Sequence, residues 1–327
     1  MEMMKMKPAA KAFLGLGQRP VFFLATFLLV LTNAAWGVPL NNTARAVIPR
    51  DVQQIIVVDY RAMSNSPTAM ALKDRVLPDP LKALEAALRA NGINPDKDIE
   101  QLAFASYRTG DALRFVGVAQ GQFPMQKFVL RLKKQKVKGS TYHGVTLFPM
   151  ASGMSMVLLN DTEMIFGDSA AVKQALEARD GDIRSLNANT AITDLMSSVE
   201  SDAIWSVLDQ AGTQAMLKSA LGSAADLADY DMVKSRLKGS RYRMSFSSGV
   251  DFKLDVITSD SITATALSSL VQAGVMFKKA TSSDTEKAAL ENMEVRSDSN
   301  QVKMNFHTGD QQFQALLNSD LFTAVSK

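Results

Sequence analysis

The chain has 327 residues, no cysteine, 36 lysines and arginines against 33 aspartates and glutamates, and two histidines. Without cysteine it has no disulfide, thiol nucleophile, thiolate metal site or lipidated N-terminal cysteine. A hydrophobic fraction of 46% with 21% charged residues is the composition of a packed chain rather than a disordered one.

The charge is unevenly placed. Lys5, Lys7, Lys11 and Arg19 stand against Glu2 alone in residues 1–37, so 32 basic and 32 acidic residues remain in 38–327. The excess belongs to the leader, and no nucleic-acid partner is expected. Residues 21–31 are an 11-residue apolar run after Arg19-Pro20, and Ala35-Trp36-Gly37 follows as a small-residue site. A bilayer-spanning helix needs about 20 residues, so the leader reads as a signal peptide cleaved after Gly37. The remaining chain, 38–327, is expected to be extracytoplasmic, either periplasmic or secreted, with no later transmembrane span.

In chain order, 38–50 is read as a polar lead-in and 55–60 (IIVVDY) as a buried strand. Helical spacing covers 67–75 and, after Pro78-Asp79-Pro80, 81–90, where Leu81, Leu84, Ala87 and Leu88 repeat and Asn91-Gly92 ends the pattern. A hairpin is predicted from 99–107 and 112–120 around Gly110-Asp111, then an amphipathic helix at 124–134 carrying Phe128, Leu130 and Leu132. A second hairpin is predicted from 141–148 and 154–159, then a strand at 163–166 and a helix to residue 178 capped by Asp168.

The second part predicts a strand at 203–208, a helix at 212–221 extending toward Lys238, and a hairpin from 241–247 and 252–258. A long helix at 261–279, a hairpin from 294–297 and 301–307, and a helix at 311–317 capped by Asp310 complete it. Equivalent features recur at similar offsets: 148 from Ile55 to Ala203, 139 from Leu113 to Phe252, and 142 from Asp168 to Asp310. This pattern reads as a duplication, with units at 38–187 and 188–327. The first carries 19 basic and 15 acidic residues and the second 13 and 17, so they are oppositely charged. Short turns between adjacent strands predict an α+β fold: two related antiparallel sheets of hairpins with helices mainly on one face. The match of Lys138-Gly139-Ser140-Thr141-Tyr142 with Lys238-Gly239-Ser240-Arg241-Tyr242 falls in inequivalent hairpins and is read as coincidence.

With its leader, paired hairpins and glycine-led helix starts such as Gly167-Asp168-Ser169-Ala170, the chain resembles uncharacterised families of exported bacterial proteins built from duplicated α+β units. That resemblance implies no catalytic residues.

Chemistry is sparse. His143 and His307 lie far apart in sequence and are expected to be ordinary strand histidines. No nucleophile elbow or P-loop is present, and no spacing singles out an acidic pair. Met150, Met154 and Met156 form the densest local cluster. They are read as core, or as soft thioether ligands for copper. Arg131, Lys133, Lys134, Lys136 and Lys138 end the helix at 124–134 as a solvated helix end or an anion-binding strip. No cofactor is expected. The leading reading is an exported, non-enzymatic cell-envelope protein that acts by binding or structural interaction, its partner an envelope protein or an apolar ligand. Its alternatives are a carrier of an apolar ligand and a carboxylate-dependent hydrolase.

Overall fold

The computed structural model describes residues 38–317 except 77, 78, 110, 111, 151, 152, 222–229, 248 and 282. The leader and the Gly110-Asp111 turn therefore lie outside the described residues. Helices are α1 (Asn42–Val47), α2 (Tyr60–Ser64), α3 (Pro67–Val76), α4 (Asp79–Ala90), α5 (Pro95–Asp98), α6 (Met125–Lys134) and α7 (Ser169–Asp180). They continue with α8 (Thr190–Met196), α9 (Gln210–Leu221), α10 (Tyr230–Lys234), α11 (Ser261–Thr281), α12 (Asp284–Glu291) and α13 (Asp310–Leu317). The first strands are β1 (Gln54–Asp59), β2 (Ile99–Thr109), β3 (Ala112–Gly121), β4 (Ser140–Tyr142), β5 (Val145–Pro149), β6 (Met154–Asn160) and β7 (Glu163–Asp168). The others are β8 (Ile204–Leu208), β9 (Leu237–Ser245), β10 (Val250–Thr258), β11 (Met293–Asp298) and β12 (Gln301–Thr308).

The fold is α+β, and its strands form one antiparallel sheet in the order β11-β12-β10-β9-β8-β1-β2-β3-β7-β6-β5-β4. From the central β1–β8 pair, β1-β2-β3-β7-β6 and β8-β9-β10-β12-β11 run outward in the same order, with β4 and β5 added at one edge. By that order β9 answers to β2, whereas β4 is an edge strand, so the two Lys-Gly-Ser segments are topologically unrelated.

The period-2 pattern separates two cores. On one face Val57, Ala103, Val118, Ile165 and Trp205 pack beneath α1, α7 and α8. On the other, Leu102, Phe104, Met164 and Phe166 face α4 and α6 of the first half. Beyond the centre this second face continues under α9 and α11, around Leu217, Leu254, Leu267 and Val302. The halves interlock where Leu72 of α3 meets Phe313 and Leu317 of α13, while Thr68 donates to Asp310 Oδ1 at 2.6 Å. Arg45 Nη2 donates to both carboxylate oxygens of Glu200, joining a cation of the first half to an anion of the second.

Several local expectations change. The lead-in contains α1, whose Ala44 and Val47 are wholly buried with Leu40, a helical repeat in a polar-looking segment. The segment 141–148 is itself a small hairpin, β4–β5, turning at His143 and Gly144 with φ of 48° and 74°. The strand β6 pairs chiefly with β7. The residues before Lys238 do not all continue a helix, because β9 starts at Leu237. In α6 Phe128 and Leu132 are buried, but Leu130 is 59% exposed, since i and i+4 share a face and i+2 does not. Asp168 precedes α7 without capping it; its carboxylate accepts from the Phe115 amide at 2.9 Å.

Gly117 of β3 lies between Phe104 and Phe166 in register, and the two rings meet edge-on at 5.9 Å. A Cβ at Gly117 would stand 2.2 Å from the Phe166 ring. Gly117→Ala is expected to destabilise the fold by about 1–3 kcal/mol through overpacking, measured by denaturant unfolding.

Candidate functional site

An apolar cleft of about 260 Å³ opens between α4, α6 and the β5–β6 edge. Leu84, Ala87 and Leu88 of α4 form one wall, since spacings of three and four residues place them on one helical face. Phe128 and Leu132 of α6 form a second wall, followed by Val137. The floor is Phe148 of β5 with Met154 and Met156 of β6, and Met150 lies beside them. Met154 and Met156 are each 4% exposed on the same side of their strand, as two-residue spacing requires. The Met150 amide donates to the Met154 carbonyl at 2.8 Å, closing the connection between β5 and β6.

The cleft ends where the core is better filled. Toward Tyr60, Leu102, Met164 and Phe166 only about 10 Å³ remains, because aromatic and methionine side chains fill that part.

Two polar residues, Asn91 and Gln135, line an otherwise apolar surface without a charged residue. Asn91 is 7% exposed; its Nδ2 donates to the Ala87 carbonyl at 2.9 Å, and its Oδ1 is buried without a partner. An unmade hydrogen bond at a buried acceptor costs about 1–3 kcal/mol. Sequence reasoning read Asn91 only as part of a helix stop.

The three methionines thus share one cleft. The basic series does not converge on it. Lys133, Lys134, Lys136 and Lys138 are exposed around the end of α6. Arg131 instead lays its guanidinium against Gly92, where a Cβ would be 1.7 Å from Nη1. Lys136 adopts φ of 58°, reversing the chain after α6. His143 pairs with Asp180 at 2.8 Å in the β4–β5 turn, and His307 on β12 pairs with Asp251 at 3.0 Å. The sheet places them near opposite edges, so they do not meet.

A second recess, about 360 Å³, lies on the other face between the lead-in and the ends of β2, β3 and β7. There Glu163 is 3% exposed, and its Oε1, like Gln120 Nε2, has no partner. Burial pushes the Glu163 carboxyl up to about 7. A carboxyl raised in the folded state favours folding less as pH rises from its unfolded value of 4.5 through 7. Glu163→Gln is therefore expected to increase stability at pH 8 by up to about 3 kcal/mol and to change little near pH 4. Unfolding curves at both pH values test this. Glu100 shares the recess and is paired with Arg61 at 3.3 Å.

Among the described residues no group of three or more His, Asp or Glu side chains could hold a metal ion, and no helix is long and apolar enough to cross a membrane. No protein-family model and no curated protein matches the chain. The fold is similar to a solved structure titled crystal form I of TP0453, at 8% identity, with a TM-score of 0.51, over 85% of this chain and 96% of that one. Crystal form IV of TP0453 aligns at 7% identity and a TM-score of 0.47, over 86% of this chain and 97% of that one. At such identity the likeness is one of fold alone.

Proposed function

We propose that this is an exported, non-enzymatic protein that binds a single-chain apolar ligand in the α4–α6 cleft. Its halves, 38–187 and 188–327, are read as duplicated units, with the cleft in the first. The leader supports export to the periplasm or beyond. The observation carrying the binding reading is the cleft itself: about 260 Å³ of apolar space beside a nearly closed core. Engineered apolar cavities of about 150 Å³ stay dry and take up small hydrocarbons, while small-molecule sites begin near 300 Å³. A slender alkyl chain fits between these limits better than a rigid polycycle. Asn91 and Gln135, the two polar residues of the lining, favour a polar end that carries a hydroxyl.

Displacement of the apolar fluorophore N-phenyl-1-naphthylamine by dodecanol tests the reading. Saturable binding with displacement supports it, and the absence of saturable uptake by folded protein counts against it. The thioethers of Met150, Met154 and Met156 favour a second occupant, a cuprous ion, because all three reach the same cleft. Stoichiometric Cu(I) retention that abolishes dodecanol binding would favour this alternative.

A further inference from the structure

We propose that the buried carboxylate of Asp59 receives the α-ammonium group of Val38, the new N-terminus formed when residues 1–37 are removed. This rests on the export reading above but adds a receptor for the processed chain end. Asp59 of β1 and Gln101 of β2 are direct cross-strand partners, so their side chains stand together on one face. Each is 3% exposed, and both are committed to the backbone of Val38. The Val38 amide donates to Asp59 Oδ2 at 3.1 Å, and Gln101 Nε2 donates to the Val38 carbonyl.

Val38 itself is 46% exposed, whereas Leu40 is 3% exposed. The small-residue site Ala35-Trp36-Gly37 makes Val38 the first residue of the mature protein. Two features of the grip are incomplete with an ordinary peptide amide at Val38. The other Asp59 oxygen, Oδ1, accepts from the Ala62 amide at 2.9 Å, and no basic side chain pairs with this carboxylate among the described residues. Burying a carboxylate without a cation is costly. Gln101 Oε1 is also buried without a partner. An amide has one N–H, already directed at Asp59, while an ammonium has three. Cleavage therefore supplies the missing positive charge and further donors beside the residue that Gln101 already holds.

The recess leaves room for the group. Val38 lines it together with Gln101, Gln120, Glu163, Arg61 and Glu100. Gln120 and Glu163 continue the row, each paired in register with the preceding residue. The site therefore contains buried hydrogen-bonding groups on adjacent strands, with Asp59 as the receptor for the cation.

The test uses Asp59→Asn, which retains an oxygen able to cap α2 while removing the charge. The protein is prepared with a free amino group on Val38 and separately with Gly-Ser preceding it. In the free form Asp59→Asn is expected to lower the folding equilibrium constant about tenfold to a hundredfold, as expected for losing a charged hydrogen bond. In the extended form the loss is expected to be much smaller. Mass spectrometry of protein recovered after export should give Val38 as the first residue. An equal effect of Asp59→Asn in both forms, or an exported protein starting elsewhere, would overturn the proposal. Failure of export contradicts the export reading instead; the two directly prepared forms still decide the Asp59 assignment.

Discussion

Ala87→Trp is expected to weaken dodecanol binding roughly ten- to hundredfold while leaving the protein folded. Ala87 is half-buried on the wall of the cleft, next to Leu84 and Leu88. An indole there occupies space otherwise available to an alkyl chain. Forcing ligand and ring to share it costs about 1–3 kcal/mol, which corresponds to the stated loss. The same ring has cleft to occupy when no ligand is present, so stability should change less than affinity. Leu130→Ala is the control, because Leu130 is 59% exposed and faces away from the buried side of α6. Its affinity should match that of the unmodified protein. Displacement titrations of the three proteins, with melting curves alongside, check this result. Equal affinity for Ala87→Trp would place binding elsewhere.

Trp205→Ala is expected to cost about 3–5 kcal/mol of folding stability and to lower Tm by roughly 5–8 °C. Trp205 is 1% exposed and pairs in register with Val57 across β1 and β8, where the two halves share the sheet. It packs in the core that also holds α1, α7 and α8, so truncation opens a cavity at the junction. The removed surface is large, and antiparallel strands and rigid helices around it limit collapse. Calorimetry should show one lowered transition if the shared sheet couples the halves. Separate melting of the second half alone would contradict that coupling.

The strands were legible as short apolar runs separated by turn residues, even where, as in β6 and β7, burial covers both faces. Of the residues IIVVDY, 55–59 lie in β1 while Tyr60 starts α2, and the pairs at 99–107 with 112–120 and 294–297 with 301–307 become hairpins. The strand order outward from β1 and β8 runs in parallel on the two sides. What remained hidden depended on contacts distant in sequence. Hydrogen bonds between β1 and β8 join the halves into one sheet, yet neither strand contains a signal naming its partner. The helix α1 was concealed by Asn41-Asn42-Thr43, because its short buried face gains meaning only against α7. Asp168 has the composition of a cap, but its location beside Phe115 on the neighbouring strand gives its carboxylate another use.

The candidate site was legible only in part. Met150, Met154 and Met156 stood out by density, and helical spacing grouped Leu84, Ala87 and Leu88. Their convergence required the edge hairpin β4–β5, which sequence pairing assigned differently. Asn91 gave a turn signal rather than a binding signal. Its free oxygen becomes evident only when the side-chain amide is seen turned toward Ala87. The basic residues after Phe128 formed an obvious run, but their dispersal around a helix end removes them from a single site.

The most direct measurement is a crystal structure of the protein with terminally brominated dodecanol, read through the anomalous signal of bromine. The account predicts bromine inside the cleft among Leu84, Phe128 and Met156, with the hydroxyl end near Asn91. A well-ordered cleft without bromine, under conditions where the ligand binds the protein in solution, would contradict it.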